Sequence, residues 1–189
     1  NLNAVNTGVA ATNAAGVNTV AKIQTIATAG KAKVDAMAKI AAYAADSTNN
    51  PAPDITDYAA AGVTGVDAAN LNAVNAGVAA TNAEGVNRVA QIQTIADAGN
   101  KTAYDAMAKI KAYATDSNKA APTVADYEAA GVTGVDAANL NAVNEGVAKT
   151  DAAGVDTVAK IQTIATAGDA KADAMAKIAA YAADSINNP

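Results

Sequence analysis

One stretch is written three times in this chain: NLNAVNTGVAATNAAGVNTVAKIQTIATAG from Asn1, NLNAVNAGVAATNAEGVNRVAQIQTIADAG from Asn70 and NLNAVNEGVAKTDAAGVDTVAKIQTIATAG from Asn139. The spacing is 69 residues both times. Self-similarity at a fixed period marks an array of structural units, so every local motif has to be read as one of several copies. The expected division is a first, partial repeat over 1–50 that lacks a leading short helix, a second over 51–119 and a third over 120–189. The first residue is Asn rather than Met, which leads to the expectation of a piece processed or excised from something longer.

Each copy predicts the same run of helical segments. From Val66 to Asn82, Leu71, Val74 and Val78 fall at spacings of three and four behind Asp67, a candidate N-cap. A second segment opens at Asn82 and carries Val86, Val89, Ile92 and Ile95, and Gly99 is expected to stop it. A third, from about Lys101 to Thr115, places Met107, Ile110, Tyr113 and Ala114 on one face. After a loop holding Pro51 and Pro53, or Pro122, a short helix runs from Asp54 to Gly62, or from Thr123 to Gly131.

Differences between copies bear on these boundaries. Seven residues separate Gly99 from Met107, against six between Gly30 and Met37 and six between Gly168 and Met175. One extra residue inside a helix rotates every later residue by about 100°, so the insertion argues for a break after Gly99. The second copy loses a residue between Asp116 and Tyr127 relative to Asp46 and Tyr58, in the proline loop. The expected fold is therefore all-α: a tandem repeat of small helical bundles, three main helices plus a short linker helix per 69-residue repeat.

Alanine makes up about 30% of the chain and Leu, Ile and Val together about 17%. With so little net charge this points to close-packed helices around a thin core rather than to disorder. A 69-residue copy on its own would be marginal. The faces can be read from the copies: Asn18, Thr19 and Lys22 become Asn87, Arg88 and Gln91, then Asp156, Thr157 and Lys160, while Val86, Val89, Ile92 and Ile95 recur unchanged. The variable stripe is expected at the surface and the constant one in the core.

Several function classes fall away on composition. There is no Cys, His, Trp or Phe, which removes thiol nucleophiles, imidazole bases, disulfides and the usual zinc ligands. A net charge of −5 with interspersed signs offers no basic patch, so no nucleic-acid partner is expected. No apolar run is long enough for membrane insertion. The GVTGVD stretch has two glycines but neither the spacing nor the lysine of a phosphate loop. Asp46, Asn49, Asn50 and Asp54 could offer oxygens to calcium, yet the second loop reads DSNKAAPT and neither has an EF-hand's glycine and terminal Glu. The pairs Asp35–Lys39, Asp105–Lys109 and Asp173–Lys177 read as ordinary exposed helix pairs. No nucleophile stands with a base. Catalytic, cofactor and metal residues are accordingly expected to be none, and the chain is not expected to be an enzyme.

The recurrent polar residues need a structural reason, because Asn is a poor residue in a helix interior. Asn70, Asn72 and Asn75 recur in each copy, and Asn75 is expected to bond loop backbone in the GVTG turn. Gln93 and Thr94 are expected to make interhelical hydrogen bonds. Tyr58 and Tyr127 are expected to bury the ring and leave the hydroxyl at the surface. Gly8, Gly77 and Gly146 sit mid-helix, where only close approach of a neighbour would offset their cost of about 1 kcal/mol.

The run AAAGVTGVDAANLNAVNAGVAATNAEGVNRVAQIQTIADA, beginning beside Tyr58, resembles alanine-rich helical repeats reading like DYAAAGVTGV…NLAAVN. These stand in tandem in very large bacterial surface and secreted proteins, RTX-type adhesins among them. The resemblance covers essentially the whole chain. It implies an extender between a cell anchor and an adhesive tip, extracellular or at the cell surface, whose partners are neighbouring repeats or copies of itself. A weaker resemblance is to the three-helix GA module of Gram-positive surface proteins, carried by a tyrosine, Gly62-Val63-Thr64, Asn70-Leu71 and Glu84-Gly85-Val86. It implies an alternative role, a protein-binding module for a host or matrix protein. The outer stripe here is Asn, Thr and Lys where albumin-binding GA modules are apolar and aromatic, so this likeness implies fold rather than albumin binding.

Overall fold

In the computed structural model, residues 2–187 are described, with side chains to Asp184. Positions 1, 188 and 189 lie outside the described residues. Among the described residues, eight α-helices succeed one another: α1 (Leu2–Ala10), α2 (Val20–Ala45), α3 (Ile55–Ala61), α4 (Leu71–Ala79), α5 (Val89–Thr115), α6 (Val124–Ala129), α7 (Leu140–Ala148) and α8 (Val158–Asn187). Short 3₁₀ turns at Ala14–Gly16 and Ala83–Val86 lead into α2 and α5. No strand occurs among the described residues, so the all-α expectation holds.

The expected break at the mid-chain glycines does not occur. Gly30, Gly99 and Gly168 lie inside α2, α5 and α8, which run straight through them. The second and third segments of each copy are thus one helix, not two. Gly99 is a contact point and not a cap: a Cβ there would stand 2.9 Å from the Val74 amide nitrogen and 2.7 Å from its Cγ2. Gly77 reciprocates, since its missing Cβ makes room for Cγ2 of Ile95 at 2.7 Å. Two glycines, one on α4 and one on α5, let this helix pair approach closely. The same device recurs at Gly146 with Ile164 and Gly168 with Val143.

The chain forms two compact units, 1–100 and 101–189, and the boundary falls inside α5. In the first, Ala36, Ile40 and Ala44 from the later half of α2 join Tyr58 and Ala61 of α3, Val74 and Val78 of α4, Val86, and Ile92 and Ala96 from the early half of α5. In the second, Ala106, Ile110 and Ala114 from the later half of α5 join Tyr127 of α6, Val143 and Val147 of α7, Val155, and Ile161 and Ala165 from the early half of α8. The extra residue between Gly99 and Met107 falls close to this boundary, and the two halves of α5 answer to different cores.

The short helices carry their own start and stop signals, as the sequence suggested. Asp54 accepts from the amides of Thr56 and Asp57 while Asp57 accepts from the Asp54 amide, a capping box that Thr123 and Asp126 repeat. At the other end Gly62 takes φ 90°, and the Val63 amide bonds the Tyr58 carbonyl at 2.9 Å. Gly131 (φ 82°) and Val132 do the same after α6. This is the left-handed helix end that glycine adopts without a Cβ penalty.

Candidate functional site

The recurrent asparagines converge on the chain's own backbone. Asn75, buried on α4, accepts a hydrogen bond from the Tyr58 hydroxyl at 2.6 Å and donates to the Pro53 carbonyl at 3.0 Å. Asn144 does the same with Tyr127, also at 2.6 Å, and with Pro122 at 3.0 Å. Two expectations change here. The partner of Asn75 is loop backbone, but in the proline loop and not in the GVTG turn. The tyrosine hydroxyl is not at the surface: Tyr58 and Tyr127 are wholly buried, because an amide on a neighbouring helix stands ready to receive the O–H. Burial pushes both phenols well above the ordinary tyrosine range.

The GVTGVD turn is held by a different asparagine. Asn70 accepts from the Asp67 amide at 3.0 Å, donates to the Gly65 carbonyl at 2.7 Å, and also bonds Asn100 on α5. Asn139 repeats this with Asp136, with Gly134 at 2.7 Å and with Asp169 at 2.9 Å. Asp67, expected as a helix N-cap, instead closes the turn ahead of α4 by accepting from the amides of Ala69 and Asn70. Gln93 takes both backbone groups of Thr64, accepting from its amide at 2.9 Å and donating to its carbonyl at 3.1 Å. Gln162 and Thr133 form the same double bond, 2.9 Å each way. Thr94 and Thr163 turn back to carbonyls of their own helices, so of that pair only the glutamine bridges elements.

The charged pairs also differ from expectation. Asp35 and Asp105 pair with Lys31 and Lys101 four residues before them, at 2.5 Å. Lys39 and Lys109 instead reach the short helices and bond Asp57 and Asp126, at 2.5 Å. The hydrogen bond to Asp57 holds the Lys39 ammonium above its usual range. Asp126 is pulled both ways: burial raises its pKa, but bonds from Lys109 and Thr123 outweigh this and leave it below the usual carboxylate range. Of the residues weighed for calcium, Asp46 and Asp54 have their carboxylate oxygens engaged in local structure. Asp46 accepts from the Thr48 and Asn49 amides, and Asp54 caps α3.

Among the described residues, no group of three or more acidic side chains is gathered to hold a metal ion. No buried side-chain nitrogen or oxygen there lacks a partner. A cavity of about 490 Å³ opens in the first unit between α1, α2 and α3, with Asn3, Thr7, Gly8, Ile26 and Ala60 in its wall. Among the described residues that line it, Lys33 is the one that is charged. No helix among the described residues is long and apolar enough to cross a membrane.

No protein-family model, curated protein or solved structure is significantly similar to the chain.

Apolar side chains that are core elsewhere in the chain stand open on α1, α2 and α8. Ile23 on α2 is 44% exposed and Leu2 on α1 71%, whereas Ile92 and Ile161, the counterparts of Ile23, are wholly buried. On α8, Ile178 is 62% exposed and Tyr181 78%, whereas Ile40 and Ile110, the counterparts of Ile178, are wholly buried.

Proposed function

We propose that the chain is a segment of tandem helical bundles serving as a structural spacer or fibre-forming stretch of a bacterial extracellular or cell-surface protein of the adhesin kind. The observation that carries this reading is the direction of the recurrent polar groups. Asn70, Asn75, Gln93 and Tyr58, and likewise Asn139, Asn144, Gln162 and Tyr127, bond backbone or side chains within their own unit. A site for chemistry or for a small ligand needs polar groups that converge on open space. Here they converge on turns and loops, while the outward stripe varies from copy to copy. That division suits a unit whose task is to keep its shape.

Passing serum and extracellular-matrix proteins over the immobilised chain tests the reading. The expected result is no saturable retention. A protein retained saturably, and lost when the Asn87, Arg88 and Gln91 stripe is altered, would replace the spacer with a binding module.

A further inference from the structure

Three helices of the first unit surround a groove with small, apolar walls. Gly8 and Ala11 of α1, Ile26 and Ala29 of α2 and Ala60 of α3 line a space of about 490 Å³. Between α1 and α2, the bare Cα of Gly8 lets Cγ2 of Ile26 stand 2.7 Å from where a Cβ would be. The groove has its own side of α1. At about 100° per residue, Ala4, Thr7, Gly8 and Ala11 fall on one face, and Leu2, Val5, Asn6 and Val9 fall on the opposite one. A space of this size with apolar walls and a few polar groups at its rim has the form of a small-molecule site.

The charged group at the rim is Lys33. It lines the groove from α2, and its Nζ stands 3.8 Å from where Gly62, at the end of α3, would carry a Cβ. No acid lies three or four residues from it on α2, and Asp35, two residues on, is paired with Lys31. Lys33 itself makes no ion pair among the described residues. The repeats show what answers a lysine at this place. In the third copy its counterpart Lys171 reaches from α8 to Glu145 on α7. In the second copy both positions are uncharged, Ala76 and Thr102. The first copy alone keeps the cation without the acid. Thr7 stands where the third copy has Glu145, and its hydroxyl turns to the Asn3 carbonyl at 2.8 Å. A carboxylate is therefore the group that the lysine takes up in the copy that supplies one, and in the first unit the space beside the lysine opens into an apolar groove.

We propose that this groove binds an aliphatic carboxylate, with its chain along Gly8, Ile26 and Ala60 and its head group on the Lys33 ammonium, in the place that Glu145 takes beside Lys171. The chain is needed as well as the charge, because an exposed ion pair alone is weak. The site uses a lysine that varies between copies and none of the recurrent polar groups, so it goes beyond the spacer reading and does not depend on it.

Methyl NMR of the full chain titrated with sodium octanoate tests it. The Ile26 methyl resonances should shift and saturate. Butanoate and octanol should each bind at least about tenfold more weakly, the first for want of apolar surface and the second for want of charge. Lys33→Ala should weaken octanoate binding at least about tenfold, and Lys33→Arg should retain it. Thr7→Glu supplies the carboxylate from the chain itself, as in the third copy, and should weaken octanoate binding by a similar factor. Both positions are exposed, so circular dichroism of each variant should match the parent. An Ile26 signal that does not saturate, octanol binding as tightly as octanoate, or octanoate binding that survives Lys33→Ala would overturn the proposal. A saturable serum or matrix protein would replace the spacer reading and leave this site untouched.

Discussion

α2, α5 and α8 are written in nearly the same residues, yet they are covered differently. On α5 the isoleucines of both halves, Ile92 and Ile110, are wholly buried. On α8 only the first, Ile161, is buried; on α2 only the second, Ile40. Helix formation itself does not distinguish the covered halves from the open ones, since alanine-rich sequence supplies the propensity everywhere. What differs is the company. Ile92 has α3 and α4 around it and Ile110 has α6 and α7. Burial at a given position is set by the neighbouring elements and not by the helix that carries the residue.

The sharpest way to break that comparison is to truncate the same side chain in both settings. Ile92→Ala and Ile110→Ala should each cost about 2–4 kcal/mol in urea unfolding, the usual loss for a buried isoleucine that leaves a cavity. Ile23→Ala and Ile178→Ala, measured at low concentration, should stay within about 0.5 kcal/mol. Equal losses at covered and open positions would show that the halves are not distinct in solution.

A second contrast uses the asparagines of α4 and α1. Asn75→Ala leaves the Tyr58 hydroxyl and the Pro53 carbonyl buried without partners and should cost about 1–3 kcal/mol. Asn6, its counterpart on α1, is exposed, and Asn6→Ala should change stability by less than about 0.5 kcal/mol. The same network predicts alkaline behaviour. Folding raises the Tyr58 and Tyr127 phenols above their unfolded value, so their contribution is complete below about pH 10 and is lost as pH rises through the folded value. Tyrosinate absorbance from these two should therefore appear together with loss of the helical dichroism. Ionisation of all the tyrosines with helicity intact would contradict their burial.

How far the sequence could be read depended on whether a signal was local. The caps of α3 and α6 were legible because Asp54 or Thr123 and Gly62 or Gly131 act on residues within a turn of themselves. The core stripe Val86, Val89, Ile92 and Ile95 was legible in part: Val86 and Ile92 are buried, and Val89 and Ile95 pack against the core's edge. The partner of Asn75 was not legible, because Pro53 lies 22 residues away and nothing in the intervening pattern favours it over the nearer GVTG turn. Lys39 was misassigned for the same reason: an acid four residues off looks like a partner until a better one, Asp57, arrives from another helix. Continuity through Gly99 failed differently. A glycine that ends a helix and a glycine that lets another helix approach give the same letter, and only the position of Val74 separates them.

Gly99 therefore carries a prediction whose sign runs against propensity. Replacing glycine by alanine in a helix interior ordinarily gains up to about 1 kcal/mol. At Gly99 the new Cβ would lie 2.9 Å from the Val74 amide nitrogen and 3.0 Å from its Cα, too close to backbone that cannot rotate away. Gly99→Ala should destabilise, by about 1–2 kcal/mol net in urea unfolding. A gain in stability would restore the view of Gly99 as a weak point in the helix.

The smallest contrast sets two lysines of α5 against each other. Lys101 pairs with Asp105 on its own helix, and both side chains are mostly solvated, so Lys101→Ala should stay within about 0.5 kcal/mol. Lys109 crosses to Asp126, which is also the carboxylate of the capping box at the start of α6, and the pair is about one third exposed or less. Lys109→Ala should cost up to about 1 kcal/mol near neutral pH. Because the folded Asp126 carboxyl is held below its unfolded value, this stabilisation is present above about pH 4 and is lost as the pH falls through the folded value. The gap between Lys109→Ala and the parent should accordingly shrink in acid, while the gap for Lys101→Ala stays small throughout. Thermal melts at neutral pH and at about pH 3 read both, and a Lys109→Ala deficit that survives acid unchanged would show that packing of the lysine stem, and not the bond to Asp126, ties α5 to α6.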